Sequence, residues 1–145
     1  MAGAAAALRE RGLPLTVQRR RLLERFLLCT DHPAAETLYA DVAPLVPGLS
    51  RATVYRTLET LVELGLAVRI GHPGWEVRYD PRIERHHHLV CDGCGAVSDH
   101  ESAALDALRP PRRIAGFAVR DFSVQFRGLC VCCTRLRSKR APHTR

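Results

Sequence analysis

Two groups of side chains in this sequence have the types and spacing to bind metal ions. The first is made of cysteines. Cys91 and Cys94 flank Asp92-Gly93 and are followed by Gly95. A two-residue gap lets both sulfurs reach one ion, and glycines permit the tight turn around it. Cys130 and Cys133 repeat that spacing further along the chain. Four thiolates in two such pairs suit a closed, tetrahedral structural Zn2+ site. A redox pair and two disulfides are the alternatives. The adjacent Cys132 leaves the ligand choice in the second pair open, and Cys29, alone, reads as a buried apolar residue.

The second group is harder in character. Asp80 is followed by His86-His87-His88 and then by Asp99. On a strand, residues 86 and 88 point to one face and 87 to the other. Asp99 follows the cysteine turn, on the expected antiparallel return strand and within reach of the face carrying residues 86 and 88. Imidazole with carboxylate suits iron or manganese as well as zinc. A histidine cluster taken alone is equally compatible with a polar surface.

These groups need elements to hold them. At 145 residues with 46% hydrophobic content, the chain is long enough for one domain or two small ones and is not broadly disordered. No apolar run approaches the roughly 20 residues of a membrane span. Ala4 to Leu8 is too short for a signal-peptide core. A soluble, cytoplasmic protein with no membrane partner is expected. Net charge is +7, but residues 1–80 carry +1 and residues 81–145 carry +6. Much of the second-half excess lies in Arg135 to Arg145, which lacks apolar periodicity and reads as a solvated, disordered tail.

The first half reads as helices followed by a hairpin. Helices are expected over Ala4 to Arg11, from an N-cap at Thr16 to about Cys29, and over Ala34 to Val46. A fourth runs from its N-cap Ser50 to the stop at Gly65, with Val54, Leu58, Leu61 and Val62 forming a buried stripe. Its other face offers Arg51, Thr53, Tyr55, Arg56 and Thr57, a set suited to phosphates and base edges in a major groove. Leu66 to Ile70 and Trp75 to Tyr79 form a hairpin around Gly71-His72-Pro73-Gly74. The order is that of a winged helix; an ordinary helical domain with a polar face is the alternative. The expected fold class is α+β: a winged helix-turn-helix over 1–80 for DNA binding, then an α/β metal-binding domain over 81–145.

Four motifs give the chain a resemblance to the ferric uptake regulator (Fur) family over nearly its whole length. They are Leu15-Thr16-Val17-Gln18-Arg19, His32-Pro33-Ala34-Ala35-Glu36, Ser50 to Leu58, and His86-His87-His88-Leu89-Val90-Cys91. The resemblance implies a metal-dependent transcriptional repressor, not an enzyme, that forms a homodimer through its C-terminal domains and binds double-stranded palindromic operator DNA. It implies Arg19, Ser50, Arg51, Thr53, Tyr55 and Arg56 as DNA contacts, and structural zinc on the four cysteines. It also adds His32 to the second metal set. His32, Asp80, His86, His88 and Asp99 match the regulatory Fe2+ or Mn2+ site of peroxide-sensing members. Iron-sensing members often carry glutamate at the two aspartate positions, and zinc-sensing members a cysteine shortly before the histidines.

An extra site of several relatives requires a histidine near Phe122; phenylalanine cannot ligate, so that site is expected to be absent and His87 to face solvent. The implied mechanism is a hinge: one ion bridging both domains sets the spacing of two recognition helices. Hydrogen peroxide then oxidises His32 or His86 to 2-oxo-histidine and releases the operator. Iron- or manganese-responsive regulation without peroxide sensing is the nearest alternative, followed by a zinc-responsive regulator and a non-heme metalloenzyme.

Overall fold

The computed structural model of the chain describes residues 1–71, 74–120 and 122–140, with side chains described as far as residue 137. The chain divides into two compact units, Met1–Ile83 and Glu84–Arg145, three residues beyond the boundary expected from sequence.

The first unit contains α1 (Ala2–Glu10), α2 (Val17–Phe26), α3 (Ala35–Val42) continued by a 3-10 turn (Ala43–Leu45), and α4 (Arg51–Glu63). Thr16 caps α2 by accepting the Arg19 N–H, and Ser50 caps α4 by accepting the Thr53 N–H. At the far end of α4, Gly65 takes φ +67°. There the Leu66 N–H reaches the Leu61 carbonyl and the Gly65 N–H reaches that of Val62, a Schellman closure open to glycine. Strands β1 (Val68–Ile70) and β2 (Arg78–Asp80) pair antiparallel, with Val68 opposite Asp80. The second strand therefore starts three residues later than expected and ends on the aspartate; Trp75 stays outside it. Residues 72 and 73 of the anticipated turn lie outside the described residues. Leu22, Leu23, Phe26, Leu38, Val54, Leu58 and Leu61 lie together in one buried core. This order of helices and hairpin is a winged helix.

The second unit is built on β3 (His87–Cys91), with β4 (Val97–His100) antiparallel on one side. A short helix α5 (Ala103–Asp106) and a tight hairpin, β5 (Arg113–Ile114) with β6 (Phe117–Ala118), follow. β7 (Gln125–Gly128) then returns parallel to β3 on its other side. Helix α6 (Val131–Arg140) closes the described chain. Residues 135–140, expected to be disordered, are thus helical; the tail beyond them lies outside the described residues. The whole is of the α+β class.

Candidate metal centres and nucleic-acid interface

The turn between β3 and β4 carries Cys91 and Cys94; the start of α6 carries Cys130 and Cys133. Their four sulfurs lie within 4.8 Å of one another. Close approach sets the sequence here. A Cβ on Gly93 would sit 2.9 Å from both Cβ and Sγ of Cys133, so only glycine fits. Backbone N–H groups of Cys130 and Gly93 point at the Cys91 sulfur, at 3.2 and 3.4 Å, and the former chiefly draws its pKa down to about 6. Cys133 moves the other way, to about 12, because it is hydrogen-bonded to its sulfur neighbours, Cys130 first. Metal-free, the four thiols cannot all ionise together. A divalent cation removes that conflict, and the all-sulfur donor set suits zinc. Cys132 is exposed and is not one of the four clustered sulfurs, which favours Cys133 as the second member of the pair. Cys29 is buried, as expected; its sulfur accepts from Arg25 Nη1 at 2.7 Å, and burial raises its pKa.

The harder donors occur in both units. In the first, His32 takes φ +50°, a conformation uncommon for a residue with a side chain. Its loop is stitched along β2: the His32 carbonyl accepts from Arg78 Nη1 at 3.0 Å, and the Tyr79 N–H donates to the Pro33 carbonyl at 3.0 Å. The result sets His32 Nε2 3.4 Å from Asp80 Oδ2, while Asp80 Oδ1 accepts the Arg82 N–H at 2.8 Å. In the second unit, His88 pairs with Asp99 across β3 and β4. His86 and His88 have ring centroids 4.5 Å apart, and His86 Nε2 lies 3.3 Å from Asp99 Oδ1.

The tautomer of His86 can be assigned. Its Nδ1 lies 2.8 Å from the Glu84 carbonyl, which can only accept, so Nδ1 carries the proton and Nε2 presents a lone pair. A lone pair facing a carboxylate oxygen is repulsive unless a cation or proton lies between them. Nitrogen and oxygen donors arranged this way fit iron or manganese.

His87 departs from expectation. It points away from the other two histidines but is fully buried rather than solvent-facing. Its Nδ1 accepts the Val124 N–H at 3.3 Å, and its Nε2 lies 3.4 Å from Asp106 Oδ1. The opposite face of β3 is therefore covered. Phe122 precedes β7, and its ring lies 5.0 Å from the Arg85 guanidinium.

Arg19 of α2 lines one cleft with Ala52, Thr53 and Arg56 of α4, and Tyr55 of α4 is 43% exposed. Arg51 is held by Glu36 at 2.9 Å and lies over the Tyr39 ring, so it reaches this surface already oriented. The Ser50 and Thr53 hydroxyls bond to each other at 2.9 Å. Thr57 does not belong on the reading face: it is fully buried, and its hydroxyl donates to the Thr53 carbonyl. Tyr79 went unnoticed in the sequence. It is buried in the core, beside Asp80, and its hydroxyl donates to Glu59 Oε1 on α4 at 2.5 Å.

A winged helix joined to a unit with a four-sulfur cluster and histidine–carboxylate donors defines a metal-responsive DNA-binding regulator. The profile of the Ferric uptake regulator family matches residues 10–127, and the chain belongs to that family, whose members are transcription regulators. It is 27% identical over 129 residues to the peroxide-responsive repressor PerR of Staphylococcus aureus (strain Mu50 / ATCC 700699), covering 88% of this chain and 87% of that one. Among solved structures, it resembles a zinc-bound manganese uptake regulator (TM-score 0.67, 30% identity, 88% and 98% of the two chains). It also resembles the Campylobacter jejuni peroxide stress regulator (TM-score 0.64, 30% identity, 88% and 97%). No helix among the described residues is long and apolar enough to cross a membrane.

Proposed function

We propose that the protein is a metal-dependent transcriptional repressor responding to hydrogen peroxide, with Fe2+ or Mn2+ held by His32, Asp80, His86, His88 and Asp99. The observation that carries this reading is the repeated motif of a histidine Nε2 facing an aspartate oxygen at 3.3–3.4 Å, once in each unit. Aspartate at both carboxylate positions supports the peroxide branch, as do the relatives named as peroxide-responsive.

Bound ferrous iron would supply the electrons that reduce peroxide. The chain's own groups prepare the donors: Glu84 fixes the His86 tautomer, the Arg82 N–H pins one Asp80 oxygen, and the Arg78 side chain holds the His32 loop. Donors drawn from both units would couple them when they share an ion. A homodimer then presents two α4 helices, with Arg19, Ser50, Arg51, Thr53, Tyr55 and Arg56 facing a palindromic duplex.

The test loads the zinc-bound protein with Fe(II) or Mn(II), adds peroxide, and follows binding to a duplex selected from a random pool by the metal-loaded protein. The expected result is loss of binding with iron only, together with one added oxygen atom on His32 or His86 by mass spectrometry. An iron form that keeps its DNA and gains no oxygen would reject peroxide sensing. Similarity to a manganese uptake regulator favours regulation by metal level as the second reading.

A further inference from the structure

Apart from its C-terminal basic run, the second unit gathers four arginines around one cleft that the metal chemistry does not use. A cleft of about 570 Å³ is walled by Arg85, Arg109, Arg112 and Arg120, with Pro110-Pro111 and Phe122 between them and, among the described residues, no carboxylate in the lining. Two of these arginines are anchored without being neutralised. Arg85 Nη2 and Arg109 Nη1 donate to the same acceptor, the Asp106 carbonyl, at 3.0 and 2.8 Å. Their donor nitrogens are thus held within about 6 Å of each other, two like charges whose mutual repulsion an anion between them would relieve. Arg85 is further steadied by the Phe122 ring, and Arg109 by the Leu108 carbonyl at 3.0 Å. The nearby Asp106 carboxylate does not compensate them, because its Oδ1 is directed at His87. Among the described residues, none of the four arginines forms an ion pair.

We infer that this arginine-walled cleft binds a compact, multivalent phosphate anion, of the kind presented by inorganic pyrophosphate or the phosphate chain of a nucleotide. Planar guanidinium forks pair with phosphate oxygens two at a time, which lysine cannot reproduce. The volume falls within the range of about 300–1,000 Å³ typical of small-ligand sites. The concave shape and the rigid proline pair favour a small anion over the backbone of a duplex.

The experiment is a calorimetric titration of the zinc-loaded full chain with inorganic pyrophosphate at about 150 mM salt, where weak surface attraction is screened. Zinc content is measured before and after. Saturable binding is expected, weakened about tenfold or more in Arg112→Ala/Arg120→Ala, about 1.4 kcal/mol per factor of ten. Arg9→Ala/Arg21→Ala, which removes the same charge from the first unit, is expected to bind as the parent does. Arg112→Lys/Arg120→Lys keeps the charge, guards against a misfolded alanine variant, and is expected to bind several-fold more weakly than the parent. No saturable binding by the parent overturns the inference, as does equal weakening in both alanine pairs. A random-sequence duplex provides the second arm. If Arg112→Ala/Arg120→Ala weakens duplex binding while pyrophosphate binding stays unchanged, the cleft is a DNA-backbone contact and the inference fails.

Discussion

The two units of this chain are held together by different means. The first buries sixteen residues in a single hydrophobic cluster, among them Phe26, Leu38, Leu58 and Tyr79. In the second, Val90, Cys91 and Val97 are the buried apolar residues among those described. Burying one large aliphatic or aromatic side chain contributes about 1.5–3 kcal/mol, so the first unit can fold on its core. Within a single chain the second has too little apolar burial to do likewise, and its four-sulfur cluster supplies a large share of what is missing, beside whatever a dimer buries. The difference teaches that a four-sulfur donor set can take the place of a missing core, because thiolates suit a closed tetrahedral site that holds the chain together. The imidazole and carboxylate donors have no such structural task and suit the iron or manganese of the proposed regulatory site.

The largest effect follows directly. Cys91→Ser removes a ligand from the cluster and is expected to abolish zinc retention and unfold the second unit. The loss draws on an apparent metal-binding free energy of about 10–16 kcal/mol in comparable zinc modules. Amide hydrogen exchange would show protection disappearing from β3, β4 and β7 while the core helices of the first unit stay protected. Undiminished protection in β3 would break the contrast between the units.

Next comes the second donor set. His86→Ala is expected to leave zinc content unchanged but to weaken metal-dependent duplex binding by at least about 10–100-fold, the range seen when a metal ligand loses only its supporting partner. Asp80→Glu separates the two functional readings more finely. It keeps a carboxylate and so keeps metal-dependent binding, but it is expected to blunt the peroxide response; an unchanged response would count against the peroxide branch.

The four-cysteine cluster was legible in the sequence because its chemistry imposes a fixed spacing. The capped ends of α2 and α4 were legible because Thr16, Ser50 and Gly65 have few other uses in those positions. What escaped depended on distant partners. Alternation along β3 showed that His87 turns away from its neighbours, but not that Val124 and Asp106, 37 and 19 residues away, would cover that side. Tyr79 and Glu59 meet across 20 residues, with no local pattern to announce it. Thr57 lies three residues after Val54 and four before Leu61, so its angle puts it on the buried stripe, whereas its polarity alone suggests the exposed face.

The Tyr79 contact offers a smaller test within the first unit. Its hydroxyl joins the strand that carries Asp80 to α4, the proposed reading helix, and burial, reinforced by Glu59, raises its pKa. Tyr79→Phe keeps the ring in the core and leaves Glu59 half-buried with one partner fewer. A loss of about 1.5–3 kcal/mol in stability is expected, the range of hydrogen bonds to charged groups. If the contact also transmits the metal signal, the ratio of duplex affinities with and without regulatory metal should shrink. A lower melting temperature with an unchanged ratio would make the bond structural only.

The smallest effect discriminates most sharply between polarity and position on α4. Thr57 is buried, and its hydroxyl donates back to the Thr53 carbonyl at 2.7 Å, so it cannot also reach a base or a phosphate. Thr57→Val keeps the branched shape and removes only that bond, whose net contribution is about 0.5–1.5 kcal/mol. Duplex affinity of the metal-loaded protein is expected to stay within about twofold of the parent, because the Thr53 carbonyl still accepts the main-chain N–H of residue 57. Arg56→Ala, one residue earlier and exposed, is expected to weaken the same binding by about tenfold through loss of a phosphate or base contact. Equal effects from the two substitutions, measured by fluorescence anisotropy on one duplex, would mean that α4 does not meet DNA along the face that carries Arg56.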